Sequence, residues 1–260
     1  MPSAFDQLDR QLVRHEDAAA KRLRRLLEDA RKDIRIRMIS VGDGERATLQ
    51  QLMASVDDAL MRMNAQAVGT LQADIHAAIG IGAQMADSTL LAVSRLFSLD
   101  PQFLQAIDVF DASLVTDVTT EMRGAIARQV QLGVLAGQTT PEIAKAIGAT
   151  GLRPTGPFKT AEARATVIAR TEINRVNNIA IQKRYEQAAI EIPGLKKMWL
   201  AKLDGKTRAS HREANGQTVG VDEPFTVGGE RGMFPLSPEF SGKNTINCRC
   251  RTIAILQEEA

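Results

Sequence analysis

Residues 49–79 read LQQLMASVDDALMRMNAQAVGTLQADIHAAI, and the spacing of their apolar positions decides the fold class. Leu49, Leu52, Val56, Leu60, Met63, Ala67, Leu71, Ile75 and Ile79 recur at steps of three or four, which puts them on one stripe of an α-helix. The segment before it carries the same signal. Behind Ser3 as a cap, Phe5, Leu8, Leu12, Ala19, Leu23, Leu26, Ala30 and Ile34 return at three, four or seven. The turn formers Ser40-Val41-Gly42-Asp43-Gly44 separate the two stretches. At ~1.5 Å per residue each arm is about 50 Å long, and so short a turn makes them antiparallel neighbours.

Composition agrees with a helical body. Aromatic residues make up 4% of the 260 residues, and Ala, Leu, Met and Gln are abundant, which suits aliphatic helix packing better than a large β-sandwich. No apolar run reaches the ~18 residues that span a bilayer, and Met1-Pro2-Ser3-Ala4-Phe5-Asp6 lacks the pattern of a secretory signal, so a cytosolic, non-membrane protein is expected. The two cysteines stand one residue apart, which leaves thiols or metal ligands rather than a disulfide scaffold.

The net charge of +2 is unevenly spread. Residues 1–40 carry ten Lys/Arg against seven Asp/Glu, whereas residues 41–149 carry six against twelve, and both later segments are basic again. Arg22, Arg24, Arg25, Arg31, Lys32, Arg35 and Arg37 all lie on the first helix. With Glu28, Asp29 and Asp33 interleaved they read either as a solvated charged face or as a contact for DNA or an acidic partner.

Beyond the first two helices, breaks are expected at Asp100-Pro101 and Asp111-Ala112-Ser113. Thr140-Pro141-Glu142 signals a helix start with Thr140 as cap, and Gly148 its end. Gly151 to Pro157 holds two prolines and two glycines in seven residues, which makes it the boundary between a helical docking body, residues 1–150, and a smaller module, residues 151–260. Thr160 is expected to cap a long helix ending before Pro193. After it, Lys197–Leu203 reads as a strand, Asp204-Gly205 as a turn, Ser210–Glu213 as a short helix and Arg249–Leu256 as a second strand. The fold class is thus mainly α, with long antiparallel N-terminal helices followed by a small α+β C-terminal module.

On the helix after Thr160, Arg170, Asn174, Asn177 and Asn178 share a sector of about 100°, beside the apolar sector of Ala169, Ile173, Val176 and Ala180. Such asparagines either fix loops through backbone hydrogen bonds or contact a substrate. In chain order, Gly137 to Ala144, then Ala169-Arg170-Thr171-Glu172 with Asn174 and Asn178, then Trp199, Asp204 to Arg208, His211, Asn215-Gly216 and Asn247-Cys248-Arg249-Cys250 follow one another. This succession resembles the phage head morphogenesis family, the minor head proteins similar to the F protein of phage Mu and the minor capsid protein of phage SPP1. The resemblance begins near residue 130.

The resemblance implies a non-enzymatic structural protein of a tailed-phage head, associated with the portal vertex and acting in head assembly, DNA packaging or DNA delivery. The partners it implies are the portal protein, capsid or scaffolding proteins, packaged double-stranded DNA and copies of the chain itself. Its place would be the virion, after assembly in the host cytoplasm. It gives Arg170, Thr171, Glu172, Asn174, Asn178, Trp199, Asp204, Gly205 and Asn247 the role of a structural motif.

Cys248 and Cys250 are alternate residues of a strand and so face one way, and with His211 and Asp204 they make a possible set of structural zinc ligands. Relatives with a fuller zinc pattern carry cysteines where this chain has Arg208 and His211, and a histidine where it has Thr245. The departure favours thiols packed beneath the module, with no cofactor. A zinc deaminase is the rival enzyme reading, since His211-Arg212-Glu213 supplies His-x-Glu. Its Pro-Cys-x-x-Cys half is missing, because Asn247 precedes Cys248 and only Arg249 separates the thiols. His15 and His76 lie within the helical arms, and no phosphate-binding loop of the Gly-x-x-x-x-Gly-Lys-Ser/Thr form occurs.

Overall fold

A computed structural model describes residues 3–40, 49–90, 101–150 and 154–256, apart from the side chains at 102, 103, 106 and 108–112. The helices are α1 (Ala4–Ser40), α2 (Leu49–Leu90), α3 (Pro101–Leu135), α4 (Thr140–Ala146), α5 (Gly156–Ala189), α6 (Ala209–Glu213) and α7 (Gly242–Thr245). Five short strands, β1 (Lys196–Leu200), β2 (Thr218–Gly220), β3 (Phe225–Val227), β4 (Glu230–Gly232) and β5 (Arg251–Ile255), all belong to the C-terminal part. The mainly α class with a small α+β module is therefore observed. Among the described residues no helix is long and apolar enough to cross a membrane.

The chain divides into two compact units. A mixed unit takes Met1–Ala18, Ala73–Ala106 and Ala169–Ala260, and a helical unit takes Ala19–Gln72 and Ile107–Ile168. In the helical unit the apolar stripes meet as their spacing requires. Leu27, Ile34 and Met38 of α1, Leu52, Val56 and Leu60 of α2, Met122, Ile126 and Val130 of α3, Ile143 of α4 and Phe158 of α5 form one buried cluster. The antiparallel run of α1 and α2 shows in their ion pairs: Arg37 meets Asp58 at 2.7 Å, while Asp33, one turn back, meets Arg62, one turn on. Arg31 is buried here, bonded to Glu28 at 2.7 Å and pointing at the carbonyls of Gly148 and Thr150.

In the mixed unit β1 is the central strand of an antiparallel sheet ordered β2-β1-β5, with Met198 opposite Thr218 on one side and Ile253 on the other. β3 and β4 form a hairpin whose turn is Gly228-Gly229, both at positive φ (57° and 81°), a conformation for which glycine carries no steric cost. The sheet module packs around Trp199, which is fully buried and meets the rings of Phe225, Phe240 and His211 edge-on. α2 and α5 come close in this unit at Gly82, where a Cβ would lie 2.5 Å from the Asn177 carbonyl oxygen.

Several boundaries differ from expectation. α3 runs unbroken through Asp111-Ala112-Ser113, since none of these residues lacks a backbone donor and α3 supplies Val118, Met122, Ile126 and Val130 to a shared core. The cap of α4 is Thr139, not Thr140: its backbone N–H and hydroxyl both donate to Glu142 Oε2, at 2.7 and 2.8 Å. α5 starts at Gly156, so Thr160 lies inside the helix and its hydroxyl donates to the Gly156 carbonyl. The turn at Val41–Gly44, Asp100, and Gly151–Arg153 lie outside the described residues.

Candidate functional site

The polar sector of α5 is the organising feature of the mixed unit, and it points inward. Asn174, Asn177 and Asn178 are at most 1% exposed. Asn177 Nδ2 donates to the Ala78 carbonyl of α2 at 3.2 Å, and Asn178 Nδ2 to the Cys250 carbonyl at 3.2 Å. Asn174 works in both directions, with Nδ2 donating to Glu16 Oε2 at 2.7 Å and Oδ1 accepting from Arg251 Nη2 at 2.6 Å. Arg170 adds ion pairs to Asp17 at 2.9 Å and Glu16 at 3.4 Å. A buried carboxylate needs such partners, because removing it from water is costly. Burial raises the Glu16 pKa, and the Asn174 amide and the two arginines work against that rise.

The closing segment alternates in the manner of an extended chain. Cys248 and Cys250 turn into the Trp199 core. Arg249 turns out and holds Asp204 with two parallel bonds of 2.7 and 2.8 Å, which keeps that carboxyl well below its ordinary range. Arg251 turns back, buried, toward Asn174, the Cys250 carbonyl at 3.0 Å and Asp9 at 3.4 Å. Asn247 adopts φ 57° and its N–H donates to Thr171 Oγ1 at 3.2 Å. Arg170, Asn174 and Asn178 thus meet in one network, Thr171 and Asn247 pair with each other, Trp199 anchors the neighbouring core, and Asp204-Gly205 forms an exposed turn pinned by Arg249.

Glu172 stands apart, buried against Arg175 at 2.9 Å, and burial raises its pKa to about 6. Of the four candidate metal ligands the structure gathers three. His211 Nδ1 lies 3.3 Å from Cys250 Sγ and 3.6 Å from Cys248 Sγ, all buried, whereas Asp204 is engaged by Arg249. The hydrogen bond between the sulfurs drives their pKa values apart, down for Cys250 and up for Cys248. The His-x-Glu pair separates as well: His211 is buried and Glu213, at the end of α6, is exposed.

The inward asparagines, the closing cysteines and the Asp-turn between them fall within residues 124–253, which match the family described as Phage Mu protein F like protein. The chain belongs to that phage head morphogenesis family. Among curated relatives, the minor head protein GP7 of Bacillus phage SPP1 is 31% identical over 54% of this chain and 42% of its own length. A protein named NAD(+)--arginine ADP-ribosyltransferase EFV from Enterococcus faecalis is 34% identical over 52% of this chain but 26% of its own length. An uncharacterised Haemophilus influenzae protein is 25% identical over 68% of this chain and 35% of its own. The chain therefore spans less than half of each of these relatives. No solved structure matches it.

Sequence reasoning missed Glu16, Arg251 and Lys197. Glu16 resembles any acid on a charged helix, and 235 residues separate it from Arg251. Lys197 is fully buried on β1, its Nζ donating to Gln182 Oε1 and the carbonyls of Val221 and Met233 at 2.8–3.1 Å, and burial pushes its pKa down to about 8. The available signal was a basic residue inside an apolar strand pattern, Lys197-Met198-Trp199-Leu200.

Proposed function

We propose that the chain is a structural, non-enzymatic minor head protein of a tailed phage, associated with the portal vertex and acting in head assembly, DNA packaging or DNA delivery. The observation that carries this reading is where the family's landmark residues point. Asn174, Asn178, Trp199, Cys248 and Cys250 are buried, with Asn178 bonded to the Cys250 carbonyl and Asn174 to Arg251 of β5, so they build a packed unit rather than converge on a cleft. We assign docking on the portal, on capsid or scaffolding proteins, or on further copies, to residues 1–150, and the role of a stabilising module to residues 151–260. Because Met1–Ala18 packs in the same unit as Ala169–Ala260, that is a division of labour and not of folding. The test is co-expression of the full chain with the portal protein of its phage, followed by size-exclusion chromatography. Co-elution that withstands moderate salt supports the reading, and separate elution under all conditions removes it.

A second reading, contact with packaged double-stranded DNA, is favoured by one observation. The cations of α1 are not equivalent. Arg31, Lys32 and Arg37 are ion-paired with Glu28, Asp29, Asp33 or Asp58. Arg24, Arg25 and neighbouring Lys21 are exposed, have no ion pair among the described residues, and line a groove of about 330 Å³ over Pro154 and Phe158. If DNA is the occupant, retention on DNA-cellulose falls steeply with salt, and Arg24→Glu with Arg25→Glu abolishes it. If retention is absent at low salt, this reading goes and the portal reading stands.

A further inference from the structure

The surroundings of His211 are more specific than thiol packing requires. Its Nε2 lies 3.3 Å from Asn244 Oδ1. The orientation of that amide is fixed by its other end, since Asn244 Nδ2 donates to the Val227 carbonyl at 3.2 Å and to Glu230 Oε2 at 3.1 Å, both of which only accept. Asn244 Oδ1 is therefore an acceptor, Nε2 of a neutral imidazole carries the proton, and the lone pair sits on Nδ1. Nδ1 faces both sulfurs. An imidazole held by a hydrogen bond at one nitrogen while the other is presented to soft ligands is the arrangement found around metal-bound histidines.

The spacing fits as well. A tetrahedral ion with bonds of about 2.3 Å to sulfur and 2.0–2.1 Å to nitrogen places S and N about 3.6 Å apart. The two observed separations are 3.3 and 3.6 Å, and the three ligand atoms lie within 4.8 Å of one another. Two thiolates balance a divalent charge, so the buried site would carry no net charge and avoid the cost of an uncompensated ion.

We propose that His211 Nδ1, Cys248 Sγ and Cys250 Sγ bind one zinc-class divalent ion, with Asn244 as the positioning residue and the fourth coordination position left to water or an external ligand. The donor set of one imidazole and two thiolates selects zinc over magnesium or calcium, which take oxygen. Binding releases the two thiol protons. The ion staples α6 to the segment leading into β5, adding to the hydrogen bonds that Arg208 makes to the Ile246 carbonyl and Ser210 to Asn244. This assignment is independent of the portal reading.

Cobalt(II) is the probe. Full-length protein, reduced and freed of metal, is titrated with Co(II), and a tetrahedral thiolate site gives a sulfur-to-cobalt charge-transfer band and strong visible bands that saturate at one ion per chain. Zn(II) then bleaches them. Asn244→Leu is expected to weaken the metal ~10–100-fold without changing the number of sulfur ligands. Asp204→Asn leaves the spectrum unchanged, since its carboxylate is held by Arg249. A wild-type chain that folds but gives no thiolate band overturns the proposal, as does a band that survives Cys248→Ser with Cys250→Ser. The wild-type titration decides alone should those variants fail to fold.

Discussion

The helical unit buries almost only apolar side chains, whereas the mixed unit buries a polar network beside its apolar core. Among the described residues, the polar and charged groups buried in the helical unit are Arg31 and Thr140, and every other one, from Glu16 through Asn174 to Thr252, belongs to the mixed unit. In the first, aliphatic stripes supply cohesion and charges stay at the surface. In the second, hydrogen bonds to buried asparagine, arginine and lysine are added to an apolar core that includes Ile75, Ile173, Ile181 and Trp199, each polar partner fixing the next. The first design tolerates substitution wherever volume is kept. The second does not, because each buried donor or acceptor left alone costs its full desolvation. Two of the family landmarks, the Arg170–Asn178 sector and the closing Asn247–Cys250, fall in the mixed unit, and a third, Gly137 to Ala144, falls in the helical unit.

The contrast breaks most directly at Arg251. Replacing it by Met leaves Asn174 Oδ1 without its donor in the interior and removes the partner of Asp9, and the expected loss is about 3–5 kcal/mol. Trp199 is the chain's one tryptophan, so its fluorescence during urea unfolding reports the mixed unit, with circular dichroism following the helices of both. The fluorescence transition should move to lower urea well ahead of the ellipticity. Ile126→Ala in the helical unit reverses the pattern. Ile126 is fully buried in the aliphatic cluster, its truncation is expected to cost about 2–4 kcal/mol, and the shift should appear in ellipticity with the Trp199 transition less affected.

A smaller effect separates the units by pH. The folded pKa of Glu172 is raised to about 6 from 4.5 by burial, so between these values the folded state binds more protons than the unfolded one. Stability then falls as pH rises from about 4.5 to 6 and stays reduced above, by about 2 kcal/mol for a shift of this size. Glu172→Gln should flatten that slope in the Trp199 signal. Lys197 acts at the other end. Its folded pKa lies near 8 against 10.5, so stability rises as pH climbs from 8 toward 10.5, and Lys197→Met should remove that rise. In the helical unit Asp33→Asn opens the surface ring of Asp33, Arg37, Asp58 and Arg62, for an expected loss below about 1 kcal/mol that moderate salt erases.

What the sequence disclosed follows the same division. The long helices of the aliphatic body were legible because a stripe of apolar residues at 3.6-residue spacing repeats over many turns, and eight of the nine stripe positions named on α2 are buried. β2, β3 and β4 were not legible, since three residues are too few to show alternation, and only the Gly228-Gly229 turn marked the region. The asparagine sector was visible as a pattern on α5, but its two readings were separable only once Cys250 and Ala78 appeared as its partners. Glu16 and Arg251 carry no local signal at all. Polar networks are built from long-range pairs, and periodicity reports only local ones.

Gly205 sharpens the comparison from the side of smallest effect. It stands in the family motif beside Asp204, yet its φ is not in the left-handed region and a Cβ added there meets nothing within 4 Å. The turn is held instead by Asp204, which accepts from the Lys206 N–H at 2.9 Å and from both arms of Arg249. Gly205→Ala should therefore leave urea stability within about 0.5 kcal/mol of wild type by both probes. If it does, folding gives no reason for a glycine at this exposed position, and a contact made outside the chain becomes the reason to look for. Reduced co-elution of a fully stable Gly205→Ala chain with the portal protein would then place that turn in the docking surface, whereas unchanged co-elution would leave the turn a spacer between β1 and α6.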